Sequence, residues 1–585
     1  MFGYDDLIFI GADDAHAQNI TGSGIRVGVV DGAPNANHPS LNGQIADQIY
    51  STYNYKTYTP DFLADTHGSH VTSIILGKNL GSNNPRGVAY DAKSYNVQIT
   101  GYNVTGKSSF INPDIYDYFV KNDVKVINNS WNSTIYPFIG MNGIYYYPSY
   151  SSNSSNEWLK TVYSQSTISK NLADLSKENR SLVVFASGNE GMSSPGISSV
   201  LPSFDEDLRS WLNIGALDIS HITKDSNNKL KISSLGVPIF SNGFKGATNY
   251  SLMAPGNFVV GANASYGVLN KKDKNLYIAV SGTSQATPYV SGAAALIMQK
   301  FSFLKPNQVA DVLLSTANKD YIAPKVVLKQ TKARVLNDKK TAMVDKVFYT
   351  LFYIDNKIPK KDDGTVDMTQ ISKDIQEAYK DSNDLYLAYY FLTQDSRTQD
   401  KYQRIEDYES SYPWLQEVGR EEIFGQGILD ITKALKGIGT LDANRLSDKD
   451  VIDHYKNEDK AVYYMLDTKD NDAEFSNDIN QRKWEADTHR NDALNLPKNL
   501  DGLNIGFIKN GSGTLTMSGK NSYEGATIVR QGSLKLTGNL ASNTYVENGA
   551  NLIGNGTIAK DLYNDGTVRP GNEDLSDLVV SGKYI

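Results

Sequence analysis

Ser281-Gly282-Thr283-Ser284-Gln285-Ala286-Thr287-Pro288 runs directly into Tyr289-Val290-Ser291-Gly292-Ala293-Ala294-Ala295-Leu296-Ile297-Met298. The stretch reads as a strand over Leu276–Val280, a glycine turn, and then a helix dense in small residues. That order sets Ser284 at a helix N-terminus, where backbone N–H groups point outward and the dipole favours negative charge. A serine so placed can attack a carbonyl while its own amide stabilises the oxyanion. Pro288 is expected in the first helical turn, where its missing N–H costs little. The run Gly292–Ala295 lets the helix lie close against other backbone, which predicts a central, buried position. Taken alone, the stretch reads first as an N-cap serine on a core helix, and it is the rest of the chain that favours the catalytic reading.

The chain has 585 residues, enough for two to four domains with a real core. Its 40% hydrophobic and 21% charged residues describe a folded protein. A net charge of −8 and the lack of a basic stripe argue against nucleic acid as a partner. Cysteine is absent, which excludes disulfides, thiolate chemistry and cysteine metal sites. Met1–Asp14 lacks the basic start of a signal peptide, and no run approaches the ~18 apolar residues of a membrane helix. The expectation is either an intracellular protein or a segment whose targeting parts are removed.

Along the chain, Gly24–Val30 is a compact apolar strand ending at Asp31-Gly32. Asp31 is a turn former or a catalytic acid, since functional groups gather at the carboxyl ends of parallel strands. Asp65–Gly77 starts a helix capped by Asp65 or Thr66, carrying His67 and His70. Two histidines three apart can ligate a metal, but no glutamate or third ligand follows in the zinc-protease pattern. Lys93–Thr100 and Val124–Trp131 are further strands, and Ile135–Asn156 is a Tyr/Ser/Asn-rich surface stretch. A helix is expected near Trp158–Ser176. Ser181–Ala186 is an apolar strand of the kind buried on both faces, breaking at Ser187-Gly188-Asn189-Glu190-Gly191. The alternation predicts an α/β fold with a doubly wound, mostly parallel sheet. Asp31, His67, Asn189 and Ser284 all fall at strand exits or helix starts, which share one sheet edge. Their chemistry is complementary: an acid to orient an imidazole, an imidazole to take a proton, a hydroxyl to attack, an amide to hold an oxyanion.

The order Asp, His, Ser, carried by V-V-D-G, H-G-S-H-V, A-S-G-N and G-T-S-x-A-x-P, resembles the subtilisin-like serine proteases over about Ala12–Asn318. Met253-Ala254-Pro255-Gly256 matches a structural segment of the same family. The resemblance implies an endopeptidase acting on proteins or peptides, with Asp31, His67 and Ser284 as triad and Asn189 as oxyanion side chain. It also implies a substrate cleft lined by Ser130, Trp131, Asn132, Ala186, Ser187 and Gly188. The sedolisin relatives carry glutamate where this chain has His67, and are excluded. Two positions depart from the pattern. Gln285 stands where methionine is usual, and Asn132 stands where glycine forms the wall of the primary specificity pocket. A side chain there narrows the pocket or makes it polar. No metal or other cofactor is implied, and a structural calcium ion is left open.

Beyond Asp320 the pattern loosens. Residues 1–320 are read as the catalytic domain and 321–421 as an insertion, charged, with helices near Ile371–Lys380 and Asp384–Leu392. The insertion is a gate for substrate or a solvated decoration. Phe424–Leu435 resembles the closing segment of the protease family, giving 422–440 back to the catalytic domain. Residues 441–502 read as a charged linker whose Asp467–Asp472 cluster is solvated or binds calcium, though without a twelve-residue calcium loop. From Asn504 onward glycine-led short strands recur, at Gly513–Met517, Gly532–Leu536, Gly549–Ile553, Gly556–Ile558 and Gly566–Val568. They predict a C-terminal β-solenoid over 503–585. This part resembles the passenger-associated β-helix repeats of bacterial autotransporters, on G-S-G-T-L-T-M-S-G-K-N-S-Y-E-G-A-T. That resemblance implies secretion or display at the outer membrane of a Gram-negative-type bacterium, with the natural chain continuing into an outer-membrane β-barrel. The rival from another class is an adhesin-type passenger whose protease-like domain is a non-catalytic scaffold.

Overall fold

A computed structural model describes residues 5–49, 66–81, 84–102, 108–110, 114–132, 138–139, 145–146, 166–227, 229–265, 275–336, 343–380, 415–485, 500–571 and 576–585. Seven strands form the central sheet: β1 (Arg26–Asp31), β2 (Ile45–Ile49), β3 (Lys93–Gln98), β4 (Val126–Asn129), β5 (Leu182–Ala186), β6 (Trp211–Leu217) and β7 (Ser251–Pro255). Their order is β7-β6-β5-β4-β1-β3-β2, and every pairing is parallel. Four of the central strands are buried along nearly their whole length, as in a sheet covered on both faces. The order reverses between β1 and β4, which opens a crevice at their carboxyl ends. The doubly wound parallel sheet expected from the sequence is the one observed.

Helix α1 (Thr66–Leu76) enters beside this crevice, α2 (Thr167–Lys177) packs on the sheet, and α3 (Thr283–Lys300) runs through the core, buried from Thr283 to Met298. Small residues make that path possible. A Cβ on Gly292 would lie 2.5 Å from Val88 Cβ, and one on Gly68 would lie 1.9 Å from the Gly32 carbonyl oxygen. The strand before α3 is β9 (Tyr277–Val280), which pairs antiparallel with β8 (Val259–Ala262) outside the main sheet. α2 begins at an N-cap, Ser166, later than the Trp158 start expected; residues 158–165 lie outside those described. So do most of 135–156 and the helix expected at Asp384–Leu392.

Pro288 requires a correction. α3 starts at Thr283, so Pro288 sits in the second turn, inside the helix. Its missing N–H leaves the Ser284 carbonyl without an i−4 partner. The Ser130 hydroxyl donates to that carbonyl at 2.8 Å instead.

Helix α4 (Pro306–Thr316) follows α3. β10 (Val326–Leu336) and β11 (Met343–Ile354) then pair antiparallel as a hairpin, extended by β12 (Leu415–Val418) parallel to β11. Alternate residues divide between two cores. Val326, Leu328, Leu351 and Tyr353 pack under α5 (Met368–Ala378), and Val327, Phe352 and Ile354 pack against Phe244, Met253 and Phe424. Ile428 bridges to Met253 and to Asn318, tying the closing segment to β7.

The reading of 441–502 as a linker is corrected by the strand pairing. Ala461–Asp467 pairs parallel with Asn504–Asn510, Ala473–Phe475 with Leu515–Met517, and Thr440–Asp442 with Asn480–Arg482. The solenoid thus begins within this stretch, and two of its aspartates hold turn amides. Asp467 accepts from the Lys469 amide at 2.8 Å, and Asp472 from the Thr514 amide at 2.6 Å. Further coils stack in three parallel sheets, with Leu515, Leu534, Leu552 and Val568 in one inward row. Among the described residues no helix is long and apolar enough to cross a membrane.

Candidate active site

The site assembles at the crevice beside β1. Asp31, the last residue of β1, is buried, and its Oδ1 accepts from the Gly32 amide at 2.7 Å. The same oxygen lies 2.8 Å from His67 Nδ1. Only α1 pressed onto the Gly32 turn allows this reach, and Gly68 is what lets it press so close. A carboxylate at Nδ1 assigns the proton to that nitrogen and leaves Nε2 as the acceptor. The His67 side chain is 40% exposed.

Ser284 is the second residue of α3. Its hydroxyl donates to the Ser130 carbonyl at 2.7 Å, reciprocating the Ser130-to-Ser284 bond, so two hydrogen bonds pin the start of α3 to the exit of β4. Gln285 is buried; its Oε1 stands 2.7 Å from where a Gly282 Cβ would be, so the turn before the serine accepts no side chain without displacing it.

Asn189 leaves β5 one loop away. Its Oδ1 accepts from the Thr283 amide at 2.8 Å and from the Thr283 hydroxyl at 3.0 Å. With the oxygen held twice, the amide NH₂ is the group free to turn outward, as an oxyanion donor must. Gly188, at φ 113°, has no room for a side chain: a Cβ would meet Asn242 Nδ2 at 2.4 Å. Trp131 stacks edge-on to Phe185 at 5.2 Å. The Asn132 amide donates to the Ala186 carbonyl, the Ser187 carbonyl and the Ser199 hydroxyl.

Asn242 was not singled out by the sequence reading. Its Nδ2 donates to the Ser187 carbonyl and Glu190, its Oδ1 accepts from the amides of Glu190 and Met192, and its own N–H donates to the Gly188 carbonyl. The only local signal was the turn-forming triplet Ser241-Asn242-Gly243. His70 does not join His67. Its Nε2 faces the Val259 and Ile278 carbonyls at 3.1 Å, its ring lies under Gly261, and burial pushes it down to about 4. Among the described residues no group of three His, Asp or Glu side chains is placed to hold a metal.

A doubly wound sheet with a serine at a helix N-terminus and an Asp–His pair at its switch point defines a hydrolase-type site. Residues 22–348 match the Subtilase family, and 507–536 match the passenger-associated-transport-repeat. The chain belongs to the subtilase family. An extracellular serine protease of Serratia marcescens is 25% identical over 96% of this chain and 46% of its own length. Subtilisin E of Bacillus subtilis is 29% identical over 53% of this chain and 64% of its own. The prenylagaramide maturation protease PagA aligns over 53% of this chain and 88% of its own at 25% identity, with a TM-score of 0.35. The chain spans about half the length of the Serratia relatives it matches.

Proposed function

We propose that the chain is a secreted or surface-displayed serine endopeptidase that hydrolyses peptide bonds through Asp31, His67 and Ser284. The observation that carries the reading is the 2.8 Å contact of Asp31 Oδ1 with His67 Nδ1 at the edge where Ser284 opens α3. In this reading Asp31 holds the imidazole in one tautomer, and His67 Nε2 takes the Ser284 proton as Oγ attacks the scissile carbonyl. Oγ exchanges its bond to the Ser130 carbonyl for one to His67 as substrate enters. The tetrahedral oxyanion is held by the Ser284 amide and the Asn189 NH₂. His67 then protonates the leaving amine, and water hydrolyses the acyl-enzyme by the reverse roles. No cofactor takes part. Ser130, Trp131, Asn132, Ala186, Ser187 and Gly188 line the cleft for an extended protein or peptide substrate.

The transport repeat and the Serratia relatives support export as an autotransporter passenger, with an outer-membrane translocator as partner. A non-catalytic adhesin scaffold has no observation in its favour.

The test is labelling with a fluorophosphonate probe, the modified peptide mapped by mass spectrometry. Adduct on Ser284 that disappears in His67→Ala is expected. A folded protein that takes no adduct overturns the reading, and the adhesin alternative then leads.

A further inference from the structure

The loop 187–192, which carries Asn189, does not support itself. Asn242 holds it by the five hydrogen bonds described above, Thr283 holds the Asn189 side chain and the Gly188 amide, and the Gly191 amide adds a bond to the Phe240 carbonyl at 2.8 Å. The supporting segment 238–242 rests in turn on the inserted hairpin. The Gln330 amide donates to the Ile239 carbonyl at 3.0 Å. Lys329 Nζ donates to the carbonyls of Ser241 at 2.7 Å and Pro238 at 3.2 Å. The fit is close: at Gly191, with φ 64°, a Cβ would stand 2.2 Å from the Gln330 carbonyl oxygen.

Lys329 is an expensive residue for this place. It is 1% exposed, and the partners of its Nζ are carbonyls, with no carboxylate among them. Burial pushes the amine down to about 7. A buried cation answered only by carbonyls costs stability that an apolar side chain of the same length would not. Two carbonyls aimed at one point repel, however, and only a group with several N–H donors at the focus holds both.

We propose that Lys329 is a positioning residue for the oxyanion loop: by fixing the Pro238 and Ser241 carbonyls it sets Asn242, and through Asn242 it aims Asn189. The inserted hairpin is then the buttress of the site. This rests on the oxyanion role given to Asn189 above.

The experiment measures phosphonylation of Ser284 by the fluorophosphonate probe, because the tetrahedral adduct places an oxygen in the oxyanion hole. Lys329→Met is expected to lower the limiting rate kinact about tenfold or more, with KI held within about threefold. On an Asn189→Ala background the same substitution is expected to cost less than about twofold further, because the two act as one unit. Hydrogen exchange over 187–192 is expected to quicken in Lys329→Met. Should the Met variant not fold, Lys329→Gln, whose NH₂ keeps two donors on a side chain one atom shorter, takes its place. A folded variant with unchanged kinact overturns the proposal, as do losses that multiply on the Asn189→Ala background. Failure of both variants to fold also overturns it, since Lys329 would then serve the fold and not the loop. If Asn189→Ala itself leaves kinact unchanged, it is the oxyanion reading that falls.

Discussion

The side-chain amide of Asn132 donates to the carbonyl of Ala186 at 2.9 Å, tying the chain that leaves β4 to the end of β5. In the proposed function these two segments are the walls between which a substrate side chain would lie. The tie extends to Ser187 and Ser199, and Gly196 is packed so tightly beneath it that a Cβ there would stand 2.2 Å from the Asn132 carboxamide.

Asn132→Gly removes the tie and opens the space. With peptide p-nitroanilides differing only in the residue before the cleaved bond, kcat/KM for large apolar residues relative to alanine is expected to rise about tenfold. An unchanged ratio would place the amide outside the specificity pocket.

Ser130 answers for the bond that Pro288 cannot make. Ser130→Ala strands the buried Ser284 carbonyl and is expected to cost about 1–3 kcal/mol in urea unfolding. Adding Pro288→Ala restores a helical N–H at the right place and is expected to recover most of that loss. If the double variant is no more stable than Ser130→Ala, the account of the proline is wrong.

Much of the site was legible because its residues sit where local signals are strong. Asp31 ends an apolar strand, His67 opens a helix, Asn189 follows a glycine, and Ser284 precedes a run of alanines. What escaped was long-range. β10 reads V-V-L-K-Q-T-K, and nothing local distinguishes the buried Lys329 from a surface lysine; the carbonyls that hold it come from residues about ninety positions earlier. Residues 441–502 looked like a linker because charge was averaged over the stretch. In a solenoid only alternate residues of short strands face inward, so a few apolar positions such as Val462, Tyr464 and Leu466 suffice. The mid-helix proline was misplaced because the helix start was judged without its partner at Ser130.

Asp6 predicts a pH effect that can be isolated. Burial pushes its carboxyl up to about 6 from 3.8, opposed by the Tyr289 hydroxyl donated to it at 2.7 Å, with Asp5 and Asp218 adding to the rise. The folded chain therefore holds a proton there that the unfolded chain releases. Stability from this group is complete below pH 3.8 and is lost as pH rises through about 6, by about 3 kcal/mol in all. In paired urea titrations, Asp6→Asn is expected to gain on the wild type by about 2.5 kcal/mol between pH 4 and pH 8, the remainder falling below pH 4. A constant difference across the range would refute the assignment.

Arg445 and Asp311 form an ion pair with both side chains under 10% exposed, Nε to Oδ1 2.9 Å. Burial holds the Asp311 carboxyl above its ordinary value despite Arg445 and Arg209. Arg445→Met is expected to cost about 3–5 kcal/mol by leaving a buried carboxylate unpaired, and Asp311→Leu in addition to return most of it. Equilibrium unfolding of the two variants beside the wild type decides; a single variant as stable as the double would mean the pair contributes nothing.

Phe301 follows α3 directly, and its ring meets Phe475 of the first coils edge-on at 5.5 Å, within one apolar cluster that reaches from the catalytic sheet to Ile558. The other end of the same helix carries Ser284. On the proposed reading, a tug on the solenoid is thus delivered to the Ser284 end along one eighteen-residue helix of about 27 Å, which Pro288 interrupts one turn after the serine. Where such a protein is tethered at its far end, drag on the substrate and grip on the tether act on a single mechanical part.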